Sequence, residues 1–512
     1  MKNRILSGTL LLSAGSLLSK LLGAIYRIPL SNILGTQGIG VYQMIFPLYS
    51  LCLVLLTGGI SVFVSQKVST FRARGDCASI NAIFRTSKKI ALLYGFVVSC
   101  LLAGLSFPLA SVQGNTSATL GYIAVAASFV FSCLSAVYRG YFQGFSNMVP
   151  TSLSAIIEQG VKLVLGLLFS ALLVKEGIVW GVFGALVGVS VSEVLSFLYL
   201  ASCYNKNKKQ VFEHQHFEMH QIIKSFLPLS VTAIMLPLVS AYDGFFAVTL
   251  MQKSGLGNLQ ATSLFGIYSG MITPILNFPI IFCTALCIAV LPSLSFDTEK
   301  KKDTSNLVSD IFFYVWLLAV PCALGLMAVS EFVLAVCFPT IEPMFFPVAV
   351  LSMQISCLNI IWLSVISLTT AILQANGKYT LPAKGWAIAL FIKIFLTLII
   401  ALKSEINIIG LAMVNSFIYF ISCSINLLSL KKYIKFGIKS KQIIMPVFFG
   451  LIMSAIIILL KKILFFNNFI SLILLVLCGI VIYFSLLIIF KIINLKNIKN
   501  YVFNKNKLQN KT

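Results

Sequence analysis

Long apolar runs, separated by short polar loops, dominate this 512-residue chain. Each run is long enough to cross a hydrocarbon layer of about 30 Å as a helix. Hydrocarbon offers no water to backbone amides and carbonyls, so a spanning segment must be a helix or part of a closed barrel. Continuous rather than alternating apolarity favours helices. The sequence predicts an all-α polytopic membrane protein with about fourteen transmembrane helices, at residues 5–34, 38–66, 88–111, 118–143, 150–174, 178–203, 222–252, 262–292, 306–335, 345–373, 382–402, 407–430, 443–461 and 468–492.

The charge distribution predicts the orientation of these helices. Only 10% of the residues are charged, whereas soluble proteins carry about 25%. The net charge of +24 would suggest nucleic-acid binding in a soluble chain. Here 28 of the 38 Lys and Arg residues, Arg139 among them, fall in alternate loops and at both ends, against five in the opposite loops. Because cytoplasmic loops retain positive charge, we expect both termini on the cytoplasmic side of the cytoplasmic membrane and no nucleic-acid partner.

Two similar turns indicate an internal repeat. Residues 143–150 and 374–382 each begin with Gln and end with a Pro that starts the next helix. Lys162 follows its Pro by twelve residues, and Lys393 follows its Pro by eleven. Six helices return the chain to its starting side, which predicts two pseudo-symmetric six-helix lobes around a central cavity. The predicted units are an N-terminal lobe at 1–203, a cytoplasmic connector at 204–221, a C-terminal lobe at 222–430, two additional helices at 431–492 and a basic cytoplasmic tail at 493–512.

Four cations lie inside the predicted spans: Lys20, Arg27, Lys162 and Lys393. A charged side chain near the centre of a bilayer costs about 3 kcal/mol, so such residues seldom face lipid. Lys20 and Arg27 are seven residues apart and share one helix face. We therefore expect the four cations to line a polar cavity and to bind substrate there. The alternative for Lys20 and Arg27 is that their side chains extend to the lipid headgroups.

Three acids also lie in the spans, and they are candidate gating or coupling residues: Glu158, Glu193 and Asp243. Glu158 precedes Lys162 by four residues, so the two could instead form a structural ion pair. Asp243 lies at the depth of Arg27 in the other lobe, which allows a bridge between the lobes. Glu193 belongs to a helix rich in small residues, where its carboxyl could bind a proton or a cation.

Several segments match a known family. The matching segments are Ser19–Gly23, Tyr26–Leu30, Gly38–Gln43, Pro47–Tyr49, Tyr138–Gly144, Pro150–Thr151 and Glu158–Gln159. They resemble the stage V sporulation protein B branch of the multidrug/oligosaccharidyl-lipid/polysaccharide exporter superfamily, which is similar to the MurJ-type lipid II flippases. The resemblance covers about the first 400 residues.

The resemblance implies a fourteen-helix, two-lobed flippase that moves an undecaprenyl-pyrophosphate-linked sugar to the outer leaflet by alternating access. Such an activity would serve cell-wall, spore-cortex or polysaccharide synthesis. Lys20 and Arg27 match cationic positions of the family's first helix. The implied partners are the lipid-linked oligosaccharide and membrane lipids, with H+, Na+ or the membrane potential as the driving force.

Physical chemistry supports this function and leaves an alternative. A pyrophosphate cannot cross hydrocarbon unaided, and fixed cations in a wet cavity replace part of its hydration. The alternative is a cation-coupled multidrug exporter of the same superfamily, although an acid-rich cavity would suit cationic drugs better. A membrane-embedded glycosyltransferase would need a metal site or paired carboxylates in a sizeable loop. The loops are short, so we expect no enzyme, no metal and no cofactor.

Overall fold

The computed structural model describes residues 2–206, 234–299, 305–378, 380–401, 408–433, 437, 440–463, 468–490 and 492. All regular secondary structure in these ranges is helical, which confirms the predicted all-α fold. The predicted connector lies outside them except for residues 204–206, and the basic tail at 493–512 lies wholly outside them.

The helices of the described ranges follow the order of the predicted spans. In the N-terminal half they are α1 (Lys2–Ala73), α2 (Cys77–Gly104), α3 (Ser106–Val112), α4 (Thr119–Ala126), α5 (Ser128–Gly144), α6 (Val149–Leu173) and α7 (Ile178–Lys206). Further along the chain they are α8 (Met235–Lys253), α9 (Asn258–Phe265), α10 (Thr273–Glu299), α11 (Ser305–Cys337), α12 (Phe346–Ser356), α13 (Leu358–Ala375), α14 (Thr380–Ala401), α15 (Ile408–Tyr433), α16 (Ser440–Ile463) and α17 (Asn468–Ile489).

Twelve helical segments of the described ranges are long and apolar enough to cross a membrane, so the protein is a multi-pass membrane protein. The first of the twelve, Ala14–Ala73, covers most of the first predicted span and all of the second. The predicted span at 222–252 is described only from residue 234, where α8 forms its second part. The total of fourteen therefore stays a prediction.

Helix α1 is interrupted at one glycine. At 72 residues it would be about 108 Å long if straight, several times the thickness of the hydrocarbon layer. Gly35 breaks it with φ 66° and ψ −177°, a conformation that residues with a Cβ seldom adopt. The break falls between the first two predicted spans. The break therefore divides α1 into two parts that correspond to these two spans.

Small residues allow α6 and α7 to cross closely. A Cβ on Gly188 would lie 2.4 Å from the Cα of Gly166, so the two backbones are in contact. Helices α1, α5 and α7 pack around α6, and α2 packs on α5. This arrangement holds one face of α1, α5 and α6 together, and the polar residues of these helices gather there.

The second part of α1 also contacts the C-terminal half. It lies against α8, α9 and the π-helical segment Gly266–Ile272. Gln43 donates a hydrogen bond to the carbonyl of Ser269 at 2.6 Å, and a Cβ on Gly40 would lie 2.1 Å from the carbonyl oxygen of Thr262. Helix α1 thus joins the two halves of the chain. The division into two lobes of similar structure stays a prediction.

We predict that Gly188→Val destabilises the protein by about 1–3 kcal/mol, because the added methyl groups must separate α6 and α7. Thermal unfolding of the purified protein in detergent measures the effect. Gly160→Ala is the matched control, since nothing lies within 4 Å of a Cβ at that position of α6. An unchanged unfolding temperature for Gly188→Val would contradict the close crossing.

Candidate functional site

A cavity of about 630 Å³ opens between α1, α5 and α6. Lys20, Arg27 and Lys162 all line it, so the structure brings together three of the four cations singled out in the sequence. The Lys20 side chain is exposed, Arg27 is half-buried and Lys162 is only 8% exposed. The cations therefore extend from the open end of the cavity to its buried wall.

Both inner cations contact the same aromatic ring. The Phe46 ring centroid lies 4.6 Å from the Arg27 Cζ and 4.6 Å from the Lys162 Nζ. Arg27 also lies over Tyr42, and Lys162 lies over Tyr26. The negative faces of these rings partly compensate for the hydration that each cation loses. Among the described residues, neither cation has a carboxylate within 4 Å.

Arg139 is a further cation of this cavity, and the sequence interpretation was wrong about it. It was assigned to a cytoplasmic loop, but the structure places it on α5 in the cavity wall. Its guanidinium donates to Glu158 Oε2 at 2.7 Å, to Ser154 Oγ at 3.0 Å and to Ser196 Oγ at 3.1 Å. One signal was available, because the predicted span 118–143 already contained Arg139.

Glu158 therefore does not form the ion pair with Lys162 that its spacing allowed. It binds Arg139 on the neighbouring helix, and its other oxygen accepts from Gln159 at 3.1 Å. A guanidinium with several donors satisfies a carboxylate better than one ammonium group does. Lys162 is left with its ammonium over the Phe46 ring.

Glu193 lies on α7 behind this cavity. The residue is 5% exposed, it does not line the cavity, and it interacts electrostatically with Glu158, Arg139 and Lys162. With all groups ionised, the four cations of the site face two carboxylates. The region therefore has an excess of positive charge in that state.

Lys393, the fourth predicted substrate-binding cation, does not join the cavity. It is fully buried on α14, where its ammonium lies 2.6 Å from Asp243 Oδ1 and donates to the carbonyl of Val239 at 3.2 Å. Helix α8 packs on α14 and brings Asp243 to the depth of Lys393. The bridge between Asp243 and Arg27 that the sequence allowed is therefore absent from this structure, and Lys393 does not line the cavity.

Two polar residues that the sequence interpretation missed complete this buried pair. Asn415 on α15 donates to Asp243 Oδ2 at 3.0 Å and to the Tyr268 hydroxyl at 2.9 Å. Both residues lie within apolar runs, and a lone amide in such a run was the available signal. In the described part of the chain, no group of three or more His, Cys, Asp or Glu residues could hold a metal ion.

The fold resembles solved transporters of one superfamily. A lipid II flippase MurJ structure in an inward closed conformation matches with a TM-score of 0.70 at 16% identity, over 94% of this chain and 98% of that one. An inward-facing multidrug resistance MATE family transporter matches with a TM-score of 0.66 at 14% identity, over 81% of this chain and 96% of that one. These likenesses show the fold.

Two curated relatives are proteins of Bacillus subtilis (strain 168). Stage V sporulation protein B is 27% identical over 311 residues, and lipid II flippase MurJ is 24% identical over 363 residues. The matches span 59% of this chain and 60% of the first relative, and 64% of this chain and 65% of the second. The family described as "Polysaccharide biosynthesis protein" matches residues 5–295, more than half of the chain. The resemblance expected from the sequence is confirmed, and this chain belongs to the polysaccharide biosynthesis protein family.

Proposed function

We propose that this protein is a flippase that moves a polyprenyl-pyrophosphate-linked sugar across the cytoplasmic membrane by alternating access. The observation that carries the proposal is the arrangement of Arg27 and Lys162. Both cations contact the Phe46 ring and line the cavity, and neither has a carboxylate partner among the described residues. Family membership and the likeness to a lipid II flippase structure support it. The proposal makes the protein a transporter and not an enzyme.

The charge of the site suits a pyrophosphate. Lys20, Arg27, Arg139 and Lys162 exceed Glu158 and Glu193 by two positive charges when all are ionised. A pyrophosphate diester carries about two negative charges, so a bound headgroup would neutralise the site. Neutralisation removes the cost of holding excess charge away from water.

The positions of the cations along α1 also suit movement of a headgroup through the cavity. Lys20 and Arg27 are separated by about 10 Å along the helix axis, with Lys20 at the exposed end of the cavity. A headgroup that enters beside Lys20 would next meet Arg27 and Lys162, which both contact Phe46. Gln143 and Gln159 line the same cavity and offer amide groups that suit sugar hydroxyls.

The Arg139–Glu158 ion pair gives the empty site an internal ligand. Glu158 satisfies Arg139 in this structure, and an incoming phosphate would compete for the same guanidinium. This competition would keep the substrate from binding too tightly to leave. The membrane orientation with cytoplasmic termini and the use of H+, Na+ or the membrane potential belong to the same proposal.

The cation-coupled multidrug exporter is the second candidate, because a MATE family transporter shares the fold. The excess of cations disfavours it, since a cationic drug would be repelled by Arg27 and Lys162. Efflux of ethidium from vesicles that contain the protein tests this candidate. Efflux that requires Glu158 or Glu193 and a pH gradient would favour the exporter over the flippase.

We predict that Lys162→Gln and Arg27→Gln each lower headgroup translocation by about tenfold to a hundredfold, the effect of losing one hydrogen bond to a charged group. The measurement is translocation of fluorescently labelled lipid II in proteoliposomes. Lys461→Gln is the control, because Lys461 pairs with Glu331 outside the cavity. Wild-type rates in both cavity variants would refute the proposed role of these cations.

We predict that Glu158→Gln strengthens binding of the same labelled lipid by about tenfold while it slows turnover, because Arg139 loses its internal ligand and the site gains net positive charge. Equilibrium binding in detergent and the translocation assay measure the two effects. Glu331→Gln removes a carboxylate outside the cavity and should change neither. Weaker binding by Glu158→Gln would show that the ion pair orients Arg139 and does not compete with substrate.

A further inference from the structure

A face of polar side chains, three of them buried and Tyr419 half-buried, runs along α15 away from the Asp243–Lys393 pair. Asn415, Tyr419, Ser422 and Asn426 are spaced by four, three and four residues, so they lie on one side of the helix. Asn415 is 2% exposed, and Ser422 and Asn426 are fully buried. The first residue of this face, which we call the α15 polar face, binds Asp243 directly.

Helix α14 covers the α15 polar face and contributes few polar side chains to the contact. The two helices run antiparallel: Lys393 lies at the level of Asn415, and the Trp386 ring packs 5.8 Å from the Tyr419 ring. Near the other end, Gly385 faces Asn426, where an added Cβ would lie 2.9 Å from Oδ1. Because Gly385 has no Cβ, the Asn426 amide can lie close to the backbone of α14.

The side chains of the α15 polar face keep unused hydrogen-bonding groups. Asn426 Nδ2 and Oδ1, Ser422 Oγ and Asn415 Oδ1 have no partner within the described ranges. A buried polar group without a hydrogen-bond partner destabilises the folded state. Buried polar groups of proteins without a protein partner are usually satisfied by internal water. Water bound to these four atoms would form a hydrated path along this side of α15.

The path leads from the buried pair toward one surface of the membrane. Asn415 and Asn426 are about 16 Å apart along the helix axis. The last turn of α15 beyond them carries Lys431 and Lys432, which the charge distribution places on the cytoplasmic side. The path therefore points to the predicted cytoplasmic surface.

We propose that the α15 polar face conducts protons between the cytoplasmic surface and Asp243, which makes H+ the coupling ion. The inference rests on the proposed transport function. A proton that arrives along the path adds to the Asp243 carboxylate, and Lys393 keeps its ammonium. The pair thereby changes from net neutral to net +1.

Protonation would loosen the contact between α8 and α14. A buried ammonium that loses its counter-charge is strongly destabilised, so Lys393 must find water or another acceptor. The ionisable groups around Asp243 are Lys393 from α14, Tyr268 from the π segment, Tyr419 from α15 and Tyr242 on α8 itself. Where α1 approaches this part of α8, at Gly244, it presents the backbone of Gln43 and Met44. Asp243 therefore has one lysine and three tyrosines, but no second carboxylic acid, among these named groups.

Infrared spectroscopy of the full chain in lipid tests the proposal without substrate. The carbonyl stretching band of a protonated carboxylic acid should appear as the pH falls, shift in D2O, and vanish in Asp243→Asn. In Asn426→Leu the band should retain its amplitude, but its exchange with D2O should slow by about tenfold or more, because leucine cannot form the buried hydrogen bond to water that the path requires at this position. Gly385→Ala should slow the exchange in the same way, because its methyl group displaces the Asn426 amide.

Ser416→Ala is the matched control. Ser416 also lies on α15, but its hydroxyl donates to Asn359 Oδ1 at 2.6 Å on another side of the helix. In Ser416→Ala, the carboxylic acid band should exchange with D2O at the wild-type rate. A titrating band that persists in Asp243→Asn, or one that exchanges equally fast in Asn426→Leu and Gly385→Ala, would overturn the proposed path.

Translocation of labelled lipid II in the same proteoliposomes separates the two proposals. With both correct, a pH gradient changes the wild-type rate, and Asn426→Leu reduces that dependence. Absence of lipid II translocation together with the expected infrared behaviour would reject lipid II as the substrate and keep the proton path. Translocation without the infrared behaviour would keep the flippase and reject the path.

Discussion

The cost of holding charge away from water governs the interior of this protein. The two buried lysines at matching positions after their helix-starting prolines meet that cost in opposite ways. Lys393 is neutralised by Asp243 and enclosed by protein. Lys162 has no carboxylate at ion-pair distance within the described ranges, and it depends on the faces of Phe46 and Tyr26 and on the cavity beside it. The first arrangement is complete without a ligand, and the second favours an anion.

This difference gives the two halves different tasks within the proposed cycle. The N-terminal half presents uncompensated cations to a cavity, which suits a headgroup whose charge has the opposite sign. The C-terminal half holds a neutral pair whose charge state can change only when a proton enters or leaves. Substrate binding and proton binding would then occur at separate places and would be coupled through the conformations that each of them favours.

The sequence predicted those features that depend on one helix at a time. Length and apolarity predicted the helices, and the gap between the first two runs coincided with the break at Gly35. The seven-residue spacing of Lys20 and Arg27 placed them on one face of α1, and the structure has both in one cavity. These features can be predicted from the helical repeat and from the exclusion of polar groups by the hydrocarbon layer.

Features that depend on which helices meet were not predicted. Spacing along α6 favoured a pair between Glu158 and Lys162, but α5 supplies Arg139 as a better partner. Lys393 was grouped with the other cations because a sequence shows depth and not the neighbouring helix. Arg139 was misplaced because a count of loop charges treats the end of a span as a loop. Helix neighbours depend on tertiary packing, which local patterns do not encode.

The π-helical segment Gly266–Ile272 stands between the two charged sites. Gln43, three residues before Phe46 on α1, donates to the Ser269 carbonyl, and the adjacent Tyr268 hydroxyl accepts from the amide that also binds Asp243. A π turn contains a residue more than an α turn. If the π turn became regular α-helix, Tyr268 and Ser269 would rotate together about the helix axis. The hydrogen bond between Gln43 and Ser269 and the one between Asn415 and Tyr268 would then be lost at the same time.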